Sequence, residues 1–264
     1  MAAPRRVCVV GALGRMGERV RAALADEPRL ALGTALEAPG HPRAGAELAP
    51  GVKIETEPAR ALAGCDVVID FSVPASTLRV VEAAAAAGVA CVVGTTGFDA
   101  AGRAAIEAAA KRVAIVFAPN YSVAVNVLAW LVREAAARLG DGFDAEIVEL
   151  HHSAKRDAPS GTALRLARAV AEGRGRAAEA EGLLVLERAG ETGARAPGTI
   201  GVQTLRGGDN PGEHTVLFVG RGERLELVHR SMTRDHFAAG AVRAAAWLAG
   251  RAPGLYGMDE VLGL

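Results

Sequence analysis

The sequence has no excess of charge of either sign, few cysteines and no long apolar run. Its 30 lysines and arginines balance 30 aspartates and glutamates over 264 residues. That balance excludes the broad basic surface that selects nucleic acid or an acidic membrane, so neither partner is expected and any anion site must be local. The cysteines, Cys8, Cys65 and Cys91, are odd in number, and each lies in or beside an apolar, strand-like run. They read as small core residues, which fits a reducing, cytoplasmic setting. Only four apolar residues precede Gly11, too short a run for a signal peptide or a membrane span, so secretion is not expected. The sequon Asn120-Tyr121-Ser122 is accordingly not read as a glycosylation site. Alanine-rich stretches at 83–87, 104–110 and 243–246 carry interspersed charges and read as helix, and no internal repeat is visible. The length exceeds the commonest domain size, so two domains are expected.

What is present is an alternation of short apolar runs with helical patterns. Arg6-Val7-Cys8-Val9-Val10 ends in Gly11-Ala12-Leu13-Gly14-Arg15-Met16-Gly17, and a helical pattern follows through Val20, Ala23 and Leu24. A dinucleotide-binding turn needs one glycine for a tight bend, a second for close approach to the pyrophosphate and a third for helix-on-strand packing. The spacing Gly-x-x-Gly-x-x-Gly is a variant of that turn. Its bland alternative is an ordinary glycine-rich turn. A second apolar run, Leu30 to Leu36, ends in Glu37, about twenty residues on, where such folds place an acidic residue on the adenosine ribose. The bland alternative there is an exposed glutamate at a strand end.

From residue 66 the alternation continues through strands at 66–71, 90–93 and 113–117 and helices at 75–87 and 99–111. Uniformly apolar short strands separated by helices indicate a parallel sheet covered on both faces. Ligands of such sheets bind beyond the carboxyl ends of the strands. This nominates Phe71, Gly94, Thr95, Thr96, Ala118, Pro119, Asn120 and Tyr121, beside the glycine turn and Glu37, as cofactor contacts. After a helical pattern over 123–139 the character changes. Strand-like runs at 144–150, 183–187, 199–205, 214–219 and 224–230 enclose only one helix, and 235–249 returns to helix. The expected fold class is α/β: a Rossmann-like, doubly wound parallel sheet domain plus a smaller α+β domain with a mixed or antiparallel sheet.

The densest chemistry lies in Glu149-Leu150-His151-His152-Ser153-Ala154-Lys155-Arg156-Asp157-Ala158-Pro159-Ser160-Gly161-Thr162-Ala163. It falls on the turn between the strand at 144–150 and a helical pattern over 164–170. Ser160 is a candidate N-cap, and the amides at a helix start receive a carboxylate or phosphate. Singly, each histidine reads as a hydrogen-bonded structural residue and Lys155 with Arg156 as a solvated pair. Together they gather an anion receptor, proton donors and cations in one loop. Adjacent histidines on an extended strand point to opposite faces, and no cysteine or Glu-x-x-His partner follows at ligand spacing, so no metal is expected. Ser160 lacks the Gly-x-Ser-x-Gly context of a nucleophile, and a cap explains it.

The run Glu-Leu-His-His-x-x-Lys-x-Asp-Ala-Pro-Ser-Gly-Thr-Ala resembles the signature of the dihydrodipicolinate reductase (4-hydroxy-tetrahydrodipicolinate reductase) family, nicotinamide-dependent enzymes of lysine and diaminopimelate synthesis. The likeness extends to Val9–Gly17, Gly94–Gly97, Ala118–Ser122, Gly212–Val216 and Gly254–Tyr256. It implies reduction of 4-hydroxy-tetrahydrodipicolinate, a cyclic dicarboxylate, with NADH or NADPH, and a homotetramer built through the second domain's sheet. It also implies a cofactor domain of residues 1–122 and 232–264 and a substrate and oligomerisation domain of 123–231. His151 becomes the candidate general acid, because imidazole titrates near working pH. Lys155 supplies charge or the proton itself, while His152, Gly161 and Thr162 hold substrate carboxylates and Asp157 orients the loop.

One departure concerns the cofactor. Some members carry an arginine directly after the acidic residue of the second strand, where it meets a 2′-phosphate, but here Ala38 follows Glu37. NADH is therefore expected to bind at least as well as NADPH, with Arg15 and Arg43 left as phosphate contacts. Two rival readings stand beside this one. A related amino-acid or sugar dehydrogenase would not require this dicarboxylate loop, and a non-catalytic NAD-binding sensor would need neither His151 nor Lys155.

Overall fold

A computed structural model describes residues 3–178 and 180–264. β1 (Arg5–Val10), α1 (Arg15–Ala25) and β2 (Leu30–Leu36) form the first strand–helix–strand unit, with the two strands parallel. β3 (Glu47–Ala49), β4 (Val52–Glu55) and α2 (Pro58–Leu62) follow, then β5 (Val67–Asp70), α3 (Pro74–Ala87), β6 (Ala90–Val93), α4 (Ala100–Ala110) and β7 (Ala114–Phe117). Next come α5 (Val123–Leu139), β8 (Asp144–His151), α6 (Gly161–Gly173), β9 (Leu184–Val185), β10 (Ile200–Arg206), β11 (Glu213–Val219) and β12 (Arg224–Arg230). The chain ends with α7 (Asp235–Trp247), β13 (Gly254–Tyr256) and α8 (Met258–Leu262).

These elements form two compact units, Met1–Val123 with Asp235–Leu264, and Ala124–Arg234. The crossings thus follow Val123 and Arg234 instead of residues 122 and 231. The reason is local: α5 starts at Val123 and α7 at Asp235, so each crossing falls at a helix start.

The first unit is an eight-stranded sheet in the order β13-β7-β6-β5-β1-β2-β4-β3, parallel except for the β3–β4 hairpin. Its order reverses between β1 and β5, the switch point at which such sheets bind ligands. All four residues of β5 are buried because both sheet faces are covered by apolar clusters. Local rules place the helices. Pro74, lacking an N–H, suits the first turn of α3, and Gly88 ends that helix at φ 72°. Asp99 caps α4 by accepting the Gly102 amide at 2.7 Å.

The second unit is a five-stranded mixed sheet in the order β12-β11-β8-β10-β9. β10 runs parallel to β8 and β9, whereas β11 runs antiparallel to β8 and β12. β8 alternates strictly: Ala145, Ile147, Glu149 and His151 are buried, and the residues between them are half-buried. The buried side shares one core with α5 and α6 through Leu128, Val132, Leu166, Val170 and Phe218. The opposite side of the sheet carries Val148, Leu150 and Leu217, with Leu205, Val219 and Val228 exposed. The expected strand at 183–187 shrinks to the two residues of β9, while the other four runs keep their places within a residue or so.

Candidate active site

The first unit offers a cradle of backbone. Gly11 ends β1 with φ +62°, a left-handed conformation that favours glycine. A Cβ on Gly17 would lie 2.0 Å from the Gly11 carbonyl oxygen, so α1 closes on the turn only because that residue has no side chain. Gly14 is the N-cap and contributes no side-chain hydrogen bond. The amides of Arg15, Met16 and Gly17 therefore stand at an uncapped helix start, where backbone N–H groups and the helix dipole favour a pyrophosphate. Ala12 is buried and Leu13 half-buried. The Leu13 amide donates to Glu37 Oε1 at 2.7 Å, so the acidic residue at the end of β2 leans on the glycine turn itself. Ala38, Arg15 and Arg43 are exposed.

Behind the neighbouring loops lies a polar network that sequence reasoning does not nominate. Asp70, the last residue of β5, is 1% exposed. Its Oδ1 accepts the Ser72 amide at 2.8 Å and the Thr95 hydroxyl at 3.4 Å, and Thr77 donates to Thr95 at 2.8 Å. Burial pushes the Asp70 carboxyl up, against the lowering effect of its hydrogen bonds from Ser72, Thr77 and Thr95. Thr95 is thus a buried strut, while Thr96 and Pro119 are exposed. Gly94 lies under Phe71, whose ring a Cβ would meet at 2.1 Å.

Tyr121 packs edge-on to Phe71 at 5.5 Å, and its buried hydroxyl donates to the Val93 and Val116 carbonyls. Its side chain is part of the core and supports Phe71 from behind. Ala118 is buried, and Asn120 turns back to accept the Ser122 amide at 2.8 Å. The side chains of Ala118 and Tyr121 are accordingly committed to the core, and only their backbone could meet a ligand. The cradle and the uncapped helix start fit a dinucleotide.

The second unit carries the histidine loop. Register places Thr204, Glu149, His214 and His229 in one row across β10, β8, β11 and β12, with Arg206 beside His151 in the next. All point to the side on which α6 begins. Ser160 is the N-cap of α6, its hydroxyl accepting the Ala163 amide at 3.1 Å and meeting His214 Nε2 at the same distance. Gly161 is exposed and Thr162 half-buried at that helix start.

His151 is 8% exposed, with Nδ1 against Glu149 Oε2 and its ring 5.1 Å from that of His214. Burial lowers the His151 pKa, Glu149 raises it, and Lys155 and Arg206 lower it further, leaving the imidazole below its ordinary value of 6.5. Burial, with the neighbouring His151, drives His214 down to about 3, so it stays neutral at working pH. Lys155 Nζ bonds both carboxylate oxygens of Asp157 at 2.8 Å. His152 follows the end of β8, its Nε2 3.5 Å from the Arg234 guanidinium, and its amide donates to the Asn210 carbonyl at 2.8 Å.

The structure therefore brings His151, Lys155, His152 and the α6 start onto one end of one sheet. It adds Glu149, Arg206 and His214, to which sequence reasoning assigns no role. Glu149, His151 and His214 also offer ligand-type atoms within 4.8 Å of one another. Arg206, however, sits 3.1–3.2 Å from both oxygens of Glu149, and a guanidinium in that place opposes a cation.

Among the described residues no helix is long and apolar enough to cross a membrane. Residues 5–121 match the family model described as dihydrodipicolinate reductase, N-terminus, and residues 124–262 its C-terminus. A 4-hydroxy-tetrahydrodipicolinate reductase of Anaeromyxobacter dehalogenans is 51% identical, covering 98% of each chain. One from Thiobacillus denitrificans is also 51% identical at the same coverage. The dipicolinate-bound dihydrodipicolinate reductase of Paenisporosarcina sp. TG-14 has the same fold, with TM-score 0.80 and 24% identity over 97% of this chain and 99% of that one. Two family models that together span nearly every residue, and relatives at half identity from end to end, show that the chain belongs to the dihydrodipicolinate reductase family.

Proposed function

We propose that His151 and Lys155 perform the proton-transfer half of the family's reaction, the NAD(P)H-dependent reduction of 4-hydroxy-tetrahydrodipicolinate to tetrahydrodipicolinate in lysine and diaminopimelate synthesis. Overall, the ring gains a hydride and a proton and loses its hydroxyl as water. The nicotinamide, when bound, supplies the hydride. Gly11 to Gly17 hold the pyrophosphate, Glu37 the adenosine ribose, and the loops at Phe71, Gly94 to Thr96 and Ala118 to Tyr121 line the rest of the cofactor path.

On the substrate side, the α6 amides of Gly161 and Thr162, the Thr162 hydroxyl and His152 take the ring carboxylates, and Lys155 adds a positive charge. His151 gives the proton from Nε2, the ring atom that Glu149 does not engage. Lys155 reaches a substrate carboxylate by exchanging it for Asp157. The observation that carries this reading is a buried imidazole and a lysine on the same loop as an outward-facing helix start. The test is direct: NADH and NADPH oxidation is followed with freshly generated 4-hydroxy-tetrahydrodipicolinate. Absence of turnover with both cofactors rejects it.

Glu37 followed by Ala38 supports NADH as at least the equal of NADPH, since a carboxylate accepts from ribose hydroxyls and repels a 2′-phosphate. The apolar residues Leu205, Val219 and Val228 on the open side of the mixed sheet support a homotetramer assembled through that side. Light scattering on the purified protein decides it, and a monodisperse monomer rejects it. Three free, buried cysteines fit the cytoplasm.

A further inference from the structure

Glu149 has no exposed surface, yet it carries a carboxylate and stands two residues before His151 on the same side of β8. Burying such a group is costly unless every oxygen is satisfied. Here each oxygen is. Oε2 meets His151 Nδ1 and accepts from Arg206 Nη1 at 3.1 Å. Oε1 accepts the Ser160 amide at 3.0 Å and the Thr204 hydroxyl and Arg206 Nη2 at 3.2 Å each. Arg206 in turn donates to the Asp157 carbonyl at 2.6 Å, so the same cluster ties down the stretch between Lys155 and the helix start.

We infer that Glu149 is the positioning residue of this site: one buried carboxylate fixes the His151 imidazole through Nδ1 and, through the Ser160 amide, the carboxylate-receiving start of α6. Proton donor and substrate receptor are then held in register by a single side chain. The inference rests on the proposed function for its catalytic meaning. With Nδ1–H given to Glu149, the imidazolium carries its second proton on Nε2. In the transfer the Nε2–H bond breaks, a C–H bond forms on the substrate, and the pair of electrons stays on Nε2. What remains is the neutral Nδ1–H tautomer, already hydrogen-bonded.

The charged and titratable groups around His151 are Glu149 on β8, Arg206 on β10, His214 on β11 with His229 beyond it on β12, and Lys155 in the loop. Among the described residues, Glu149 is the anion that acts on His151. Burial raises its carboxyl, but Arg206, the Ser160 amide and His151 outweigh that effect and hold it below the usual range, so it is ionised at working pH. Its charge opposes the depression that burial, Lys155 and Arg206 impose on His151. A role in packing alone would leave the titration of the histidine where it is.

Nitrogen-15 NMR of the ligand-free protein tests this without any variant. Neutral His151 is expected as the Nδ1–H tautomer, and a neutral Nε2–H tautomer overturns the inference. In Glu149→Gln, loss of the charge is expected to lower the His151 pKa by about one unit or more. The falling limb of kcat/KM moves with it and KM for the dicarboxylate rises, while Glu149→Asp restores part of the pKa. A folded Glu149→Gln protein whose His151 titrates as in the wild type also overturns it. If the wild-type protein oxidises neither NADH nor NADPH with the substrate, the proposed function fails, but the tautomer and titration still decide what Glu149 does to His151.

Discussion

A methyl group on Gly212 would stand 2.8 Å from Nε2 of His151 and 3.0 Å from its Cδ2. The Nε2 edge of the imidazole therefore has room only because residue 212 is glycine, at φ +148°. Gly212→Ala pushes the ring off its Glu149 contact and strains the backbone. We expect kcat to fall at least about tenfold, of the order of 1.4 kcal/mol, with NADH affinity unchanged because the glycine cradle belongs to the other unit. Stopped-flow and titration calorimetry read the two quantities separately, and an unchanged kcat would show that the ring does not need this edge.

His151→Ala removes the proposed proton donor and should depress kcat by roughly 10²- to 10⁴-fold, again without weakening NADH. Thr162→Val is expected to act chiefly on KM, since the proposed carboxylate contact would be present in both ground and transition states. Retention of more than about a third of wild-type kcat by His151→Ala, a loss below 1 kcal/mol, would move the proton to Lys155 or water.

The pH profile carries a sign. His151 must be protonated to donate, and its pKa in the free protein lies below 6.5. kcat/KM, which reports the free protein, should fall with rising pH around a midpoint below that value. A dicarboxylate beside the imidazole stabilises its charged form, so the limb of kcat should lie at higher pH. Coincident limbs would count against substrate carboxylates near His151.

His214 makes a prediction about stability. Its folded pKa of about 3 lies under the ordinary 6.5, so between those values the unfolded chain binds a proton that the folded chain refuses. Its contribution is complete above pH 6.5 and is lost as pH falls toward 3. Between pH 7.5 and 5 the linkage amounts to roughly 2 kcal/mol. Urea unfolding at the two pH values should show that much less pH dependence in His214→Gln, and an identical slope would mean that His214 ionises in the folded state.

For the cofactor, calorimetry of NADH and NADPH against the wild type and Glu37→Ala gives the test. NADH is expected to bind at least as well as NADPH, and the variant should lose part of that discrimination. NADPH binding more than tenfold tighter, roughly 1.4 kcal/mol, would remove Glu37 from the ribose.

Much of this was legible because the signals are local. The parallel sheet follows from uniformly apolar four-residue strands such as Ala90–Val93, and the helix start at Ser160 from one capping residue. The hairpin β3–β4 and the tail strand β13 carry no comparable signal, since three- or four-residue edges take their shape from a neighbour already in place. Glu149 was visible in principle: two positions before a histidine on an alternating strand means the same side. Thr204, Arg206 and His214 were not, because what brings them together is pairing between segments more than fifty residues apart, which no local pattern encodes.

Strict alternation along β8 has a consequence for how the chain tolerates change. Its inward residues, Ala145 to His151, run from hydrophobic core to the buried imidazole without a gap, and its outward residues, Asp144 to Leu150, face the opposite side of the sheet. A single inserted or deleted residue ahead of Glu149 would exchange the two sets, sending the carboxylate and imidazole outward and Val148 and Leu150 in. Length is thus under tighter constraint in this strand than side-chain identity at its outward positions.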